Sequence, residues 1–295
     1  MAHPSALDPK AVRRQFARRA DRLHQADFLL RETERRLLER LEIVRLTPAA
    51  VLDVGCGLGR SLAALAQRYP QATLRGCDLS WQVAARARAA LEPTARGLLA
   101  RLRRGPTQPV AAVFAADAHA LPLPPSCTDL IWSNLVFHWF HEPQRVVDEW
   151  YRVIRPDGLL TFTVLGVDSL IELRTVGARL PDFPDMHDIG DLLVGAGFAE
   201  PVMDVERLVL TYRDAETLLA DARALGGNAL AGRFRGLLGR GHRREWLAAI
   251  ERGRAADGML RLSVELIFGH AWCPPRKRLP GGLAHVEFMP RRKGG

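Results

Sequence analysis

Gly55, Gly57 and Gly59 stand on alternate positions directly after Val51-Leu52-Asp53-Val54, and Ser61 to Tyr69 then places Leu62, Leu65 and Ala66 at helical spacing. A strand, a glycine turn and a helix in that order let a ligand approach the backbone where no Cβ intervenes, beside the free N–H groups of a helix start. Polar side chains recur at the ends of successive apolar runs. Asp53 precedes the turn by two positions, and Thr73-Leu74-Arg75-Gly76-Cys77 leads to Asp78, where a carboxylate can accept from both hydroxyls of a ribose. Asp117-Ala118 follows the apolar run 110–116, and Asn134 closes Asp129-Leu130-Ile131-Trp132-Ser133. Asp117 and Asn134 also suit helix caps or turns. His138 and His141 are spaced to share a metal, but with no third ligand recognised nearby no metal is expected. His138 and Trp139 suit the wall of a reaction pocket, although a core aromatic is an equal reading of Trp139.

The glycine spacing selects the ligand. A dinucleotide turn reads G-x-G-x-x-G so that a pyrophosphate lies on the helix start. Here the third glycine comes one residue early, and Asp53 with the turn spells D-x-G-x-G-x-G. That arrangement resembles the first motif of the class I S-adenosylmethionine methyltransferases. The resemblance implies S-adenosylmethionine as methyl donor. Gly55, Gly57 and Gly59 would pass beneath its methionine part, and Asp53 would orient the loop or take the ammonium through water. Asp78 would hold the ribose, Asp117 and Ala118 would meet the adenine, and Asn134 the amino-acid moiety. Trp139 would face the sulfonium through its ring.

The elements that must place these residues follow from the pattern. Strands alternate with helices through Leu165, which predicts a doubly wound, Rossmann-like α/β sheet, mostly parallel. Ser80 reads as an N-cap, Pro143 as the first residue of a helix running to Ile154, and Arg155-Pro156-Asp157-Gly158 as a turn before a strand at Leu159–Leu165. Helices are expected at 168–180 and 187–196. Two alternating segments, 201–212 and 261–272, read as an antiparallel closing pair. The expected organisation is an N-terminal helical cap (1–46), with Phe16, Phe28, Leu29, Leu37, Leu38 and Leu41 inward. A core (47–212) with a helical extension (167–197) follows, then a helical lid insertion (213–260), the closing strand (261–273) and a disordered basic tail (274–295).

At 295 residues the chain can bury a large core. No apolar run reaches the ~18 residues of a membrane span, and no signal peptide is evident, so a cytoplasmic protein is expected. Cys56, Cys77, Cys127 and Cys273 are scattered and read as small buried residues in a reducing compartment. The net charge of +9 rests on arginine, since Lys10, Lys277 and Lys293 are the only lysines, and it favours an acidic partner.

Beyond the glycine turn, the chain resembles the biotin-pathway malonyl-carrier-protein O-methyltransferases. The likeness runs through Val12-Arg13-Arg14-Gln15-Phe16, Ala120-Leu121-Pro122-Leu123, Trp132-Ser133-Asn134 and Arg155-Pro156-Asp157-Gly158. It continues through Ser169-Leu170-Ile171-Glu172-Leu173-Arg174, His187-Asp188-Ile189-Gly190-Asp191 and Gly269-His270-Ala271-Trp272. The resemblance implies methyl transfer to the free carboxylate of a malonyl thioester on an acidic acyl carrier protein, with no nucleic-acid or membrane partner. A buried carboxylate needs a fixed cation. Arg174 is the candidate for a bidentate grip, a salt bridge to Glu172 or Asp168 being the alternative, and His187 is a second candidate. Arg233, Arg235, Arg240, Arg243 and Arg244 offer a docking face for the carrier. The chain departs from the family at Leu23-His24, where members commonly carry Tyr-Asp. The other readings are a methyltransferase for another small acid or a nucleic acid, and a donor-binding assembly factor resembling an arginine hydroxylase.

Overall fold

The computed structural model describes residues 6–20, 27–92, 111–224, 229–232 and 240–275. Among them, seven strands form one sheet in the order β3-β2-β1-β4-β5-β7-β6. The strands are β1 (Ala50–Val54), β2 (Thr73–Asp78), β3 (Ala112–Ala115), β4 (Thr128–Asn134), β5 (Ile154–Leu165), β6 (Ala199–Tyr212) and β7 (Leu260–Trp272). The first five pair in parallel, and β7 runs antiparallel between β5 and β6, as the sequence pattern predicts. No helix among the described residues is long and apolar enough to cross a membrane.

Every residue of β1 is buried, as a strand covered on both faces requires. Side chains alternate between two cores. Val51, Leu130 and Trp132 face one with Leu29, Leu37 and Leu41, while Leu52, Ile131 and Phe162 face the other with Trp150. The first core is covered by α2 (Asp27–Glu42), α3 (Arg60–Arg68) and α4 (Trp81–Leu91). The second is covered by α5 (Pro143–Val153) and by Ile189 and Leu193 of the helix Met186–Ala196. Ser80 caps α4 through Val83 N–H, and Pro143 opens α5, both as expected. Phe28 departs from the pattern: it is 60% exposed, whereas Leu29 beside it is buried.

Two elements differ from the sequence reading. Arg155-Pro156-Asp157-Gly158 does not end the chain's run beside β4; it is a bulge within β5, where the register steps from Thr128 opposite Ile154 to Leu130 opposite Leu159. Asp157 takes φ 60°, and Asp157 N–H to Cys273 O (2.8 Å) with Cys273 N–H to Gly158 O (2.9 Å) keeps the bulge laced to the end of β7. The helix expected at 168–180 is only α6, Ile171–Thr175. Ser169 Oγ accepts from Glu265 N–H and donates to Glu265 O, and Leu170 in a left-handed conformation donates to Ser263 O, so β7 holds the segment until residue 171. Gly177 at φ 87° follows its end. The helix Met186–Ala196, α7, closes on Gly197 at φ 103°.

The N-terminal helix α1 (Pro9–Arg19) starts on Asp8, whose carboxylate accepts from Lys10 and Ala11 N–H. Between β6 and β7 the described chain carries α8 (Ala215–Ala224) and α9 (Arg240–Glu251). Residues 229–231 meet the N-terminus: Asp8 N–H donates to Ala229 O and Ala231 N–H to Ala6 O, both at 2.8 Å, and Leu7 bridges Leu230. Ala229 packs with Ala11 and Val12 of α1. Leu23-His24, the tail from 276 and the connector 93–110 lie outside the described residues.

Candidate active site

The chain leaves β1 toward β2 on one side and returns to β4 on the other, which opens a crevice beyond the strands' carboxyl ends. A cavity of about 600 Å³ occupies that position. Of the residues singled out from sequence, Asp53, Gly55, Gly57, Asp78, Asp117, Ala118, Asn134 and Trp139 line it, and Gly59, His138, Arg174 and His187 do not.

The glycines divide the work. Gly55 and Cys56 donate their N–H groups to Cys77 O at 2.8 and 2.9 Å, folding the turn back over β2. All three glycines have positive φ, but a Cβ would meet different things. On Gly55 it would overlap the Val136 methyls, and on Gly59 it would come within 2.8 Å of Leu91 in α4. On Gly57 it would meet nothing within 4 Å among the described residues. Gly59 therefore serves packing between α3 and α4, whereas Gly57 keeps open space above the turn.

Carboxylates gather beneath that space. Asp78 accepts from Gly57 N–H (3.2 Å) and Ser80 N–H (2.9 Å), yet burial still pushes its pKa up to about 6. Asp53 is fully buried and its Oδ2 has no hydrogen-bond partner among the described residues. Burial raises its pKa well above the usual carboxylate range, and the neighbouring Glu34 and Asp78 raise it further. Glu34, on α2, accepts from Ser61 Oγ at 2.7 Å and lines the same cavity. Three carboxyl groups sharing one buried space favour a positively charged ligand.

At the next strand end, Asp117 accepts from the N–H (3.0 Å) and ring Nδ1 (2.6 Å) of His119. Partial burial works against its ionisation, but those two bonds win and hold it below its ordinary value. The Asn134 side chain is engaged within the protein while the residue lines the cavity: Nδ2 donates to Leu30 O (3.1 Å) and Oδ1 accepts from Thr163 Oγ1 (2.6 Å). It ties β4 to α2 and β5.

Trp139 stands at the wall, with Phe16 of α1 edge-on at 5.4 Å. His138 turns the other way, into the protein against Phe183 (5.8 Å). Burial pulls its pKa down to about 3, so it is a neutral core ring. The ring facing His141 belongs to His119, 4.3 Å away. Arg174 donates from Nη2 to Pro181 O at 2.7 Å and lies 5.5 Å from the Phe183 ring centre, while its Nε is buried without a partner among the described residues. Neither expected ion pair forms: Glu172 accepts from Ser263 N–H and Oγ, and Asp168 pairs with Arg207. His187 is exposed on the first turn of α7, its N–H donated to Asp185 (2.7 Å).

Sequence reasoning passed over Lys10, Arg13, Phe16, Glu34 and His119, all in the cavity wall. Four of them belong to α1 and α2, and only a helix folding over a distant strand end brings them to the cavity. Of the Arg-rich docking face, Arg233 and Arg235 lie outside the described residues, Arg243 pairs with Glu216 (3.2 Å), and Arg244 is exposed.

Residues 52–162, which carry every strand end of the site, match the family model described as a methyltransferase domain. The fold is similar to a crystal structure of a Bacillus halodurans protein, with TM-score 0.59 and 18% identity over 82% of this chain and 99% of that one. The likeness in sequence reaches much further. The malonyl-[acyl-carrier protein] O-methyltransferase of Methylovorus sp. is 42% identical over 97% of this chain and 96% of its own length. The protein of the same name from Laribacter hongkongensis is 42% identical over 96% of both. Likeness of that extent, from α1 through β7, makes the chain a member of the malonyl-[acyl-carrier protein] O-methyltransferase family.

Proposed function

We propose that the protein transfers the methyl group of S-adenosylmethionine to the free carboxylate of a malonyl thioester on acyl carrier protein, giving the methyl-ester primer of the biotin pathway, in the cytoplasm. The observation that carries this reading is a cavity whose strand ends present carboxylates and whose α1 wall presents cations. The residues fit the donor: Gly57 leaves the space a Cβ would fill, and the orphaned Asp53 Oδ2 faces a cavity suited to a cation. When bound, S-adenosylmethionine supplies a methyl group on positively charged sulfur. Asp53, Glu34 and Asp78 would receive its positive charge and ribose, and Asp117 with Ala118 its adenine.

The malonyl carboxylate is already ionised at neutral pH, so the protein needs no general base. Its work is orientation and exclusion of water. Phe16 and Trp139 close the wall with apolar surface. Lys10 and Arg13 line the cavity, and no side-chain partner of theirs is seen among the described residues. They are better placed than Arg174 to take the substrate carboxylate; Arg174 reaches that region only through Phe183 and His138. An acidic carrier protein would meet the basic outer surface of α1 first.

Malonyl acyl carrier protein incubated with S-adenosylmethionine should gain one methyl by mass spectrometry, and the gene should rescue a biotin-requiring strain lacking its own methyltransferase. Arg13→Ala should raise KM for the malonyl carrier while leaving donor binding intact. No methyl gained on malonyl carrier protein by a donor-binding preparation would overturn the assignment.

A further inference from the structure

Beside the adenine end of the cavity stand His119, His141 and Glu142. One ligand atom from each lies within 4.8 Å of the others, the spacing of groups that share an ion. The histidine rings are 4.3 Å apart, and His141 Nε2 is 3.9 Å from Glu142 Oε2. Proximity alone would carry little, but His119 is also prepared. Its side chain is 9% exposed, its Nδ1 meets Asp117 Oδ1 at 2.6 Å, and its buried Nε2 has no partner among the described residues. A carboxylate accepting from one ring nitrogen fixes the tautomer and leaves a lone pair on the other, the support that metal-ligating histidines receive. Burying a bare imidazole nitrogen costs free energy unless something binds it.

We infer that His119, His141 and Glu142 form a binding site for a divalent transition metal of the zinc class, with Asp117 as the carboxylate that orients His119. Two imidazoles and one carboxylate are a nitrogen and oxygen set suited to zinc with water in the fourth position, and poorly suited to magnesium or calcium. The competitor for Glu142 is Arg145, whose Nη1 lies 3.4 Å from Glu142 Oε2. Bringing in His119 revises the sequence expectation of no metal, which weighed only His138 with His141.

The test uses the full, untagged protein after chelator treatment. Zinc chloride is titrated by calorimetry, and cobalt(II) chloride is followed by its visible absorption. One equivalent should bind, with a cobalt spectrum free of thiolate charge transfer. Asp117→Asn should weaken zinc by about tenfold or more, the usual effect of losing a supporting carboxylate. His141→Ala and Glu142→Gln remove ligands at exposed positions, so they should fold normally and weaken zinc at least as much. His119→Ala should do the same, with circular dichroism checking its fold. His187→Ala, on an exposed helix start, should change nothing. No bound equivalent, unchanged affinity in His141→Ala, or a thiolate band pointing to the cysteines would each overturn the site.

Discussion

Alanine at Gly57 and alanine at Gly55 make similar changes to the sequence, and the structure separates their consequences. Both positions have left-handed backbone, at φ 54° and 77°, which costs an L-residue about 1–2 kcal/mol. At Gly57 the new methyl meets no atom of the described residues within 4 Å, so that strain is the main expense, and its N–H can still reach Asp78. For a chain of this size the melting temperature should fall by roughly 2–3 °C. At Gly55 the methyl would overlap Val136, and such overpacking adds about 1–3 kcal/mol. The donor product S-adenosylhomocysteine, added to wild type at about a hundredfold over its Kd, should contribute about 2.7 kcal/mol of stability. The assay is a thermal melt of wild type and both variants with and without that ligand. Gly57→Ala should melt as a folded protein and lose most of the ligand-induced rise, because its methyl occupies the space left for the ligand. Gly55→Ala should start lower than Gly57→Ala. A full ligand-induced rise in Gly57→Ala would refute the role given to that opening.

The raised Asp78 pKa sets a pH dependence. The folded carboxyl keeps its proton up to about 6 against an ordinary 3.8, so the unliganded protein should lose stability as pH rises through that window. The cationic donor prefers the ionised form, so its affinity, measured by calorimetry, should rise as pH climbs through about 6, and Asp78→Asn should flatten that step. His138 acts on the opposite side: neutral when folded down to about 3 and protonated at an ordinary 6.5 when unfolded, it should cost stability as pH falls below 6.5. Denaturant melts of His138→Leu should show a shallower acid decline than wild type. Glu34→Gln should weaken binding of S-adenosylmethionine more than of uncharged-sulfur S-adenosylhomocysteine; equal losses would show that Glu34 does not read the positive charge.

The parts of the site readable from the chain are those made by neighbours in sequence. A glycine turn after a buried strand, and Asp78 one βα unit later, have local backbone reasons to be where they are. Gly59 looked the same as Gly57 because spacing does not reveal that α4 crosses one and not the other. Arg174 and Arg13 both stood in motifs of the resemblance, but nothing in the sequence put Arg13 at the site until α1 folded across the cavity. Asn134 was placed at the right strand end, but long-range bonds to Leu30 and Thr163 claim its amide. The turn at Arg155–Gly158 became a bulge because Cys273, more than a hundred residues on, continues the ladder past it.

The hydrogen bonds Asp8 N–H to Ala229 O and Ala231 N–H to Ala6 O, which fasten residues 6–8 to 229–231, run between main-chain atoms. Backbone bonds are indifferent to side-chain identity, so both segments can exchange their outward residues without loosening the helix that walls the cavity. A chain fastened this way can change the outward face of that seam while the chamber behind it keeps its shape.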